Sequence, residues 1–404
     1  MKQFCTLCTV VIFSICFAQE RETNLQVFEQ VWQISKSSIY PQKLQQKFTV
    51  AKYNELKEKI KNTKSRSELS DVINPFLKSL NISHTLFLDR RHASYYFLRS
   101  LFSTRDIEKP EVEHIGCQLQ FTNGNYVIRS VLHGFPAEKS GLKRGDIITA
   151  VDGGKFQALL SFQGKKDQKV ILSVVRNGVK IQVPVMVVKG GLHHAFYRAM
   201  ENSVKIIEYH GKKMGYVRLW CGTNVKFLRL LQKVTSQNFA DTDGVILDLR
   251  DGYGGAWWDY LDSFFADRSQ YFKATIIARD GKQQHIVTPA TKNVDSYQKP
   301  LVVIINEGVR SGKESLAFQF KKTKRAPLIG KTTAGAFVAG KGVFADKDVD
   351  YMLFLSVKGV LLDGVDIEGE GVKPDVEVDY PLKYHENDPQ LQRAITELHG
   401  MLTK

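Results

Sequence analysis

Two stretches, Val245-Ile246-Leu247 and Leu301-Val302-Val303-Ile304-Ile305, carry no polar side chain, and each runs into a glycine-containing turn followed by a helical segment. Short apolar runs of this kind are the mark of strands buried on both faces, as in parallel sheets covered by helices. From Gly190 to the C terminus such runs alternate with helical segments, which predicts an α/β core over residues 190–404. After the first run comes Asp248-Leu249-Arg250-Asp251-Gly252-Tyr253-Gly254-Gly255, with a helix expected over 256–265. After the second comes Asn306-Glu307-Gly308-Val309-Arg310-Ser311-Gly312-Lys313-Glu314, with a helix starting near Ser311 and Leu316, Ala317 and Phe320 on its inner face.

A serine at a helix N terminus sits in a positive backbone field with N–H groups nearby, useful properties for a nucleophile that generates an oxyanion. The same residue type in the same place also serves as an ordinary helix cap. A glycine-rich strand-to-helix turn such as 248–255 exposes N–H groups that bind anions, but its spacing is not a dinucleotide fingerprint. Nor is Gly330-Lys331-Thr332 a phosphate loop, because Arg325 stands where that motif needs glycine. No His-Glu-x-x-His spacing supports a metal site, and no cofactor is expected.

Residues 19–109 are rich in Lys, Glu, Leu and Phe, with apolar positions at helical spacing (Leu25, Phe28, Val31, Trp32; Leu69, Val72, Ile73, Phe76, Leu77, Leu80), and predict a small helical domain. Within it, Ser83-His84-Thr85 marks a junction, where the second helical stretch gives way to Leu86-Phe87-Leu88. Residues 110–189 change to short β-rich runs with glycine turns, at 126–131, 147–151, 170–175 and 180–188. Between the first two of these, 134–146 reads as a short helix stopped by Gly141 and followed by a turn into a strand. That stretch, continuing into Ile147-Ile148-Thr149-Ala150-Val151-Asp152-Gly153, resembles the centre of a PDZ domain. The resemblance implies a groove that takes a peptide C terminus as an added strand. Ile115-Gly116-Cys117-Gln118-Leu119 would then be its carboxylate-binding loop.

Asp-Leu-Arg-x-x-x-Gly-Gly at 248–255 and Asn306-Glu307-Gly308-x-x-Ser311-x-x-Glu314 together resemble the carboxy-terminal processing, or tail-specific, protease family. So do Gly330-Lys331-Thr332-Thr333-Ala334-Gly335 and Glu368-Gly369-Glu370-Gly371-Val372-Lys373-Pro374-Asp375-Val376. The resemblance implies a multidomain α/β protein: an N-terminal helical segment, a PDZ-like domain and a ClpP/crotonase-like protease core. By position Ser311 matches the family's nucleophile, with Gly312 and Gly255 (or Gly254) as oxyanion-hole donors. The bacterial members pair that serine with a lysine about 25 residues downstream, where this chain has Ala336; its Gly-Lys-Gly, centred on Lys341, comes five residues late. The tricorn core uses instead a histidine from a Ser-His pair before the PDZ domain and a C-terminal glutamate. Ser83, His84 and Glu368 match those positions, which makes His84 the expected base, Ser83 and Glu368 its supports, and Lys341 the alternative. A neutral imidazole accepts a serine proton near pH 7, and a carboxylate orients it.

Residues 1–18 read as a secretory signal: Lys2, an apolar run over 10–17 too short to span a bilayer, and a small residue, Ala18, at the cleavage point. The expectation is an exported enzyme, periplasmic or extracellular, acting on polypeptides with C-terminal or unstructured segments. With 43% hydrophobic and 25% charged residues the chain is neither disordered nor membrane-embedded. Only Cys117 and Cys221 of its five cysteines lie beyond residue 18, which is no disulfide framework, and the two are expected not to pair. A net charge of +15 attracts nucleic acid or an anionic envelope surface. The basic residues are spread along the chain, however, and not gathered into an aromatic-interleaved motif; that excludes nucleic acid and leaves peripheral envelope association. Family members often assemble, and the Lys/Leu-rich N-terminal helices would suit an interface between copies. The rival readings are an inactive peptide- or lipid-ligand-binding protein on the same scaffold, as in the interphotoreceptor retinoid-binding proteins, and a PDZ adaptor whose core only scaffolds.

Overall fold

The computed structural model describes residues 23–102, 109–293, 295–343 and 350–404. The secretory-signal segment 1–18 lies outside the described residues. Both fully apolar runs are central strands of a six-stranded sheet, in the order 205–209, 212–218, 244–248, 301–305, 328–330, 376–377. Every pairing from 212–218 onward is parallel, and only Lys205–Tyr209 is antiparallel to its neighbour. Alternate side chains of each run enter different cores, which is why no polar position is tolerated in it. Val245, Leu247, Leu301, Val303 and Ile305 pack with helices Leu192–Ser203, Val225–Lys233 and Gly312–Thr323. Ile246, Val302 and Ile304 face the C-terminal helix Pro389–Leu402 through Ala394, Ile395 and Leu398.

The N-terminal helices Asn24–Ser38, Val50–Ile60 and Arg66–Ser79 bury the residues their spacing selects, among them Val27, Phe28, Trp32, Leu56, Ile73 and Phe76. Trp32 lies between Phe48 and Phe76, with ring centroids 5.0 and 5.3 Å away. This segment is not wholly helical. Leu86–Asp89 is a strand, paired antiparallel with the long strand Tyr351–Leu362 of a second sheet, whose other members are Ala274–Ile277, Gln283–Ile286 and Ala339–Val343. The alternate burial of Phe87 on the helical core and Leu88 on the main core ties the N-terminal segment to the rest. Residues 83–85 are therefore held at the edge of the protease-like core by the pairing of Leu86–Asp89 with a strand distant in sequence, and not by local structure.

Between Val112–His114 and Val188–Gly190, which pair antiparallel at its entry and exit, lies the β-rich domain. Its sheet runs 117–122, 125–131, 147–151, 169–176, 179–186, with the one-turn helix Pro136–Lys139 ended by Gly141 at φ 71°. Cys117–Thr122 is an edge strand of that sheet, so its outer backbone is placed for strand addition.

Candidate active site

Strand Leu301–Ile305 ends at Asn306, whose side chain ties the following turn to the first glycine-rich turn: Oδ1 accepts from Gly308 N (2.9 Å) and Asp251 N (3.1 Å), and Nδ2 donates to Asp251 Oδ1 (3.0 Å). The chain then reaches Ser311, which adopts φ 55°, ψ −137° immediately before the helix Gly312–Thr323. A non-glycine residue in that region carries strain of roughly 1–3 kcal/mol, which persists only where neighbours over-determine it. Here they do. Ser311 N–H donates to the Ala336 carbonyl (2.9 Å) and to Glu314 Oε2 (3.0 Å). Fully buried Glu314 also accepts from Thr333 Oγ1 (2.6 Å), Gly335 N (2.7 Å) and Ala336 N (2.9 Å). Burial pushes its carboxyl above the usual range, while these donors pull the other way.

The glycines expected to form the oxyanion hole lie directly on the serine. A Cβ at Gly254 would stand 2.5 Å from Ser311 Cβ and 3.0 Å from its Oγ, and one at Gly312 would stand 2.2 Å from the Gly255 carbonyl oxygen. Only glycine permits that approach of the 254–255 turn to the helix start, whose first N–H groups have no partner inside the helix. The turn is fixed by Gly222, whose N–H donates to Gly254 O (3.0 Å) and whose carbonyl accepts from Ala256 N (2.9 Å). Underneath, fully buried Lys313 donates through Nζ to the carbonyls of Leu249 (2.9 Å), Leu219 (3.2 Å), Trp220 (3.3 Å) and Asp251. Burial brings the Lys313 pKa down to about 7.

Across the loop 333–338 stands the second group. Ser83 Oγ donates to Glu368 Oε2 (3.0 Å) and lies 2.8 Å from His84 Nδ1, while Ser83 N–H donates to Glu368 Oε1 (2.8 Å). A hydroxyl has one hydrogen; given to Glu368, it leaves the oxygen to accept from Nδ1–H, so Nε2 carries the lone pair. His84 holds φ 54°, packs edge-on to Phe354 (5.0 Å), and is depressed to about 4 by burial and by the neighbouring Arg310. Glu368 also accepts from Phe337 N (2.6 Å) and Val338 N (3.1 Å). One short loop thus gives a carbonyl to Ser311 and, in its next two residues, two N–H groups to Glu368.

Ser311, Gly312, Gly254, Gly255, Ser83, His84 and Glu368 are therefore gathered around one loop. Lys341 is not part of that cluster. It is exposed on strand Ala339–Val343, whereas its neighbour Gly340 lies against His84 (a Cβ there would be 3.0 Å from His84 Cβ), as alternation along a strand requires. The loop residues assigned to peptide recognition split: Ile115 is buried in the core of the β-rich domain, Gly116 takes φ 84°, and Cys117, Gln118 and Leu119 open the edge strand. Gln118 Oε1 accepts Gly252 N–H (2.9 Å), so it is spent on the core and not on a peptide. Cys117 and Cys221 are free thiols. Lys313 carries no signal in the sequence for its place under the site, and the one local signal for Glu314 is the capping-box spacing of Ser311-x-x-Glu314.

Residues 213–378 match the family model for peptidase family S41, and residues 114–187 match that for the PDZ domain. The carboxy-terminal processing protease CtpA of Bacillus subtilis (strain 168) is 25% identical over 298 residues, covering 70% of this chain and 59% of that protein. The tricorn protease of Thermoplasma volcanium is 25% identical over 410 residues, covering 95% of this chain and 37% of that protein. The chain thus spans less than two thirds of the length of either relative. Among solved structures, the photosystem II D1 C-terminal processing protease superposes with a TM-score of 0.55 at 21% identity, over 89% of this chain and 94% of the other. Mature CPAF complexed with lactacystin does so with 0.55 at 14%, over 94% and 97%; at such identities the likeness is one of fold. Two family models in tandem, and relatives of one kind along most of the chain, lead to one conclusion: residues 213–378 match peptidase family S41 with a PDZ domain ahead of them, and the chain as a whole resembles the carboxy-terminal processing (tail-specific) proteases.

Proposed function

We propose that this chain is an exported serine endopeptidase that cleaves polypeptides through an acyl-enzyme on Ser311, with His84 as base. The observation that carries the reading is the hydrogen-bonded series Glu368–Ser83–His84, joined through residues 336–338 to a strained Ser311. In this reading His84 Nε2 takes the proton as Ser311 Oγ adds to the scissile carbonyl, and Glu368 with Ser83 holds the ring and supports its charged form. The oxyanion accepts from N–H groups of Gly312 and the 254–255 turn, donors that need no rearrangement because Lys313 and Gly222 already fix them. His84 then protonates the leaving amine, and the acyl group passes to a water deprotonated by the same imidazole. No step calls for a metal or cofactor.

Relatives named for carboxy-terminal processing support substrates entered from a C terminus, and the edge strand Cys117–Thr122 is the place where such a segment would add to the PDZ sheet. Export rests on the pattern of residues 1–18, with the mature protein periplasmic or extracellular and meeting envelope surfaces through a net charge of +14, the +15 of the full chain less Lys2. The test is turnover of an unstructured polypeptide with a free C terminus, followed by mass spectrometry of the products. Cleavage by the wild type that Ser311→Ala abolishes is expected. Peptide binding without turnover in the wild type would sink the peptidase reading in favour of a binding protein.

A further inference from the structure

From Gly308 to Ala317 the chain leaves the central sheet and starts the helix, and two residues alone in that stretch are not buried: Arg310, which is exposed, and Ser311, which is half-buried. The turn is clamped on both sides of them. Val309 N–H donates to the Asn306 carbonyl (3.0 Å), the Val309 carbonyl accepts from Ala334 N (2.8 Å), and Ser311 N–H donates to the Ala336 carbonyl (2.9 Å). The Arg310 carbonyl lies against the glycine turn, where a Cβ at Gly254 would be 3.0 Å from it, and the side chain is left to solvent.

That guanidinium is short of partners. Among the described residues its one hydrogen bond is the long contact from Nε to the Gly308 carbonyl (3.5 Å), and no carboxylate stands within ion-pair distance of it. Around the same turns Arg129, Arg218 and Arg250 each meet a carboxylate, at 2.6, 3.0 and 2.7 Å. The carboxylates whose fields reach Arg310, Asp251 and Glu314, are spent elsewhere. Asp251 accepts from Arg129, Ser130, Arg218 and Asn306, and Glu314 from Thr333 and three backbone N–H groups. Burial lowers the pKa of Arg310, so the exposed guanidinium sits in a recess and not on a convex surface. Its charge also acts on His84 and on Tyr253 of the glycine turn, the two sides between which Ser311 lies.

We infer that Arg310 is a specificity-determining residue, which binds a carboxylate of the substrate close to the scissile bond. That carboxylate is an acidic side chain or the terminal α-carboxylate. The inference rests on Ser311 as nucleophile, which puts Arg310 one residue from the bond that is cut. A guanidinium offers a carboxylate two parallel N–H donors, and in a recess the pair is stronger than on open surface. An amide of the same shape brings one acceptor and no charge, and a lysine at the same place is repelled.

The experiment takes an unstructured peptide in which Asp or Asn is moved through successive positions, and the parent peptide with a free or an amidated C terminus. Fluorescence anisotropy gives affinities for the full chain carrying Ser311→Ala, with and without Arg310→Gln; kcat/KM is measured on the chain with Ser311 intact. At one position the acid is expected to be favoured over the amide by about tenfold in both quantities, the worth of a hydrogen-bonded charge. The preference should vanish in Arg310→Gln, persist in part in Arg310→Lys and turn towards lysine in Arg310→Glu. Each comparison is a ratio within one variant, so a general loss of activity or of folded protein cancels. A preference at an internal position identifies an acidic side chain as the ligand, and one confined to the free C terminus identifies the α-carboxylate. Equal binding of acid and amide, no binding of either, or a preference that survives Arg310→Gln would overturn the inference and leave the Ser311 reading untouched. An Arg310-dependent preference in binding, without turnover, would uphold Arg310 as the carboxylate's partner and count against the peptidase reading alone.

Discussion

In the mechanism proposed above, His84 is pulled in one direction by its surroundings and in the other by its work. Burial and the Arg310 charge disfavour the imidazolium, while Ser83 and Glu368 are placed to support it when it forms. Because the pKa falls to about 4 from the ordinary 6.5, the base is free over a wider range than a solvent-exposed histidine, and the acid limb of kcat/KM is expected near pH 4. The sign for stability follows. The unfolded state binds the proton more tightly, so the His84 contribution is complete above pH 6.5 and is lost as pH falls towards 4, which urea titrations across that window will register. Ser83→Ala removes the contact that fixes the tautomer, and should lower kcat about tenfold to a hundredfold with little change in KM. Glu314→Gln puts an NH2 group where two backbone N–H groups now point; an expected loss of about 1–3 kcal/mol is measured by denaturant unfolding. Ser311 and His84, the proposed nucleophile and base, stand out in the sequence because each belongs to a short motif. The groups that hold the Ser311 turn do not: Glu314 and Lys313 read as ordinary polar positions of a helix until the loops that bury them are in place.

Among the elements, the two apolar strands and the helix after Ser311 appear where their patterns put them, since continuous burial leaves little freedom in either register or length. The helix expected over 256–265 shrinks to Trp258–Leu261. Gly255 and Ala256 take φ 76° and 64°, and the bridge to Gly222 holds them there, so the chain cannot start a helix before it has passed the site. The strand Leu86–Asp89 was hidden for a different reason: its partner, Tyr351–Leu362, is supplied by distant chain, and nothing local distinguishes four residues of strand from a helix end. Lys313 is what joins the elements around the 254–255 turn. Lys313→Met would leave four buried carbonyls without their donor, at a cost of about 1–3 kcal/mol, and would free the 249–255 turn. A drop in kcat larger than the change in KM is the expected signature, since in the proposed mechanism the turn acts on the transition state.

At the scale of the molecule, the PDZ domain is fastened to the core beside the 254–255 turn, not at a remote hinge alone. Arg129 Nε and Ser130 Oγ reach Asp251, Gln118 reaches Gly252, and Arg129 also lies 3.2 Å from Glu307. Buried Asp251 is held well below the usual carboxylate range by Arg129, Arg218 and Arg144. Arg129→Ala should cost about 1–3 kcal/mol and broaden or split the calorimetric unfolding transition as the two domains come apart. No part of this interface could be read in sequence, because its charges come from segments more than a hundred residues apart, and the motif that holds Glu307 says nothing of its partner. The central claim remains that Ser311 is an activated nucleophile whose base is His84. Labelling of the full chain with a fluorophosphonate probe, compared in wild type, Ser311→Ala, His84→Ala and Lys341→Ala, tests it most directly. The account predicts labelling of the wild type and of Lys341→Ala, and none of Ser311→Ala or His84→Ala. Labelling that survives in His84→Ala and disappears in Lys341→Ala would contradict it.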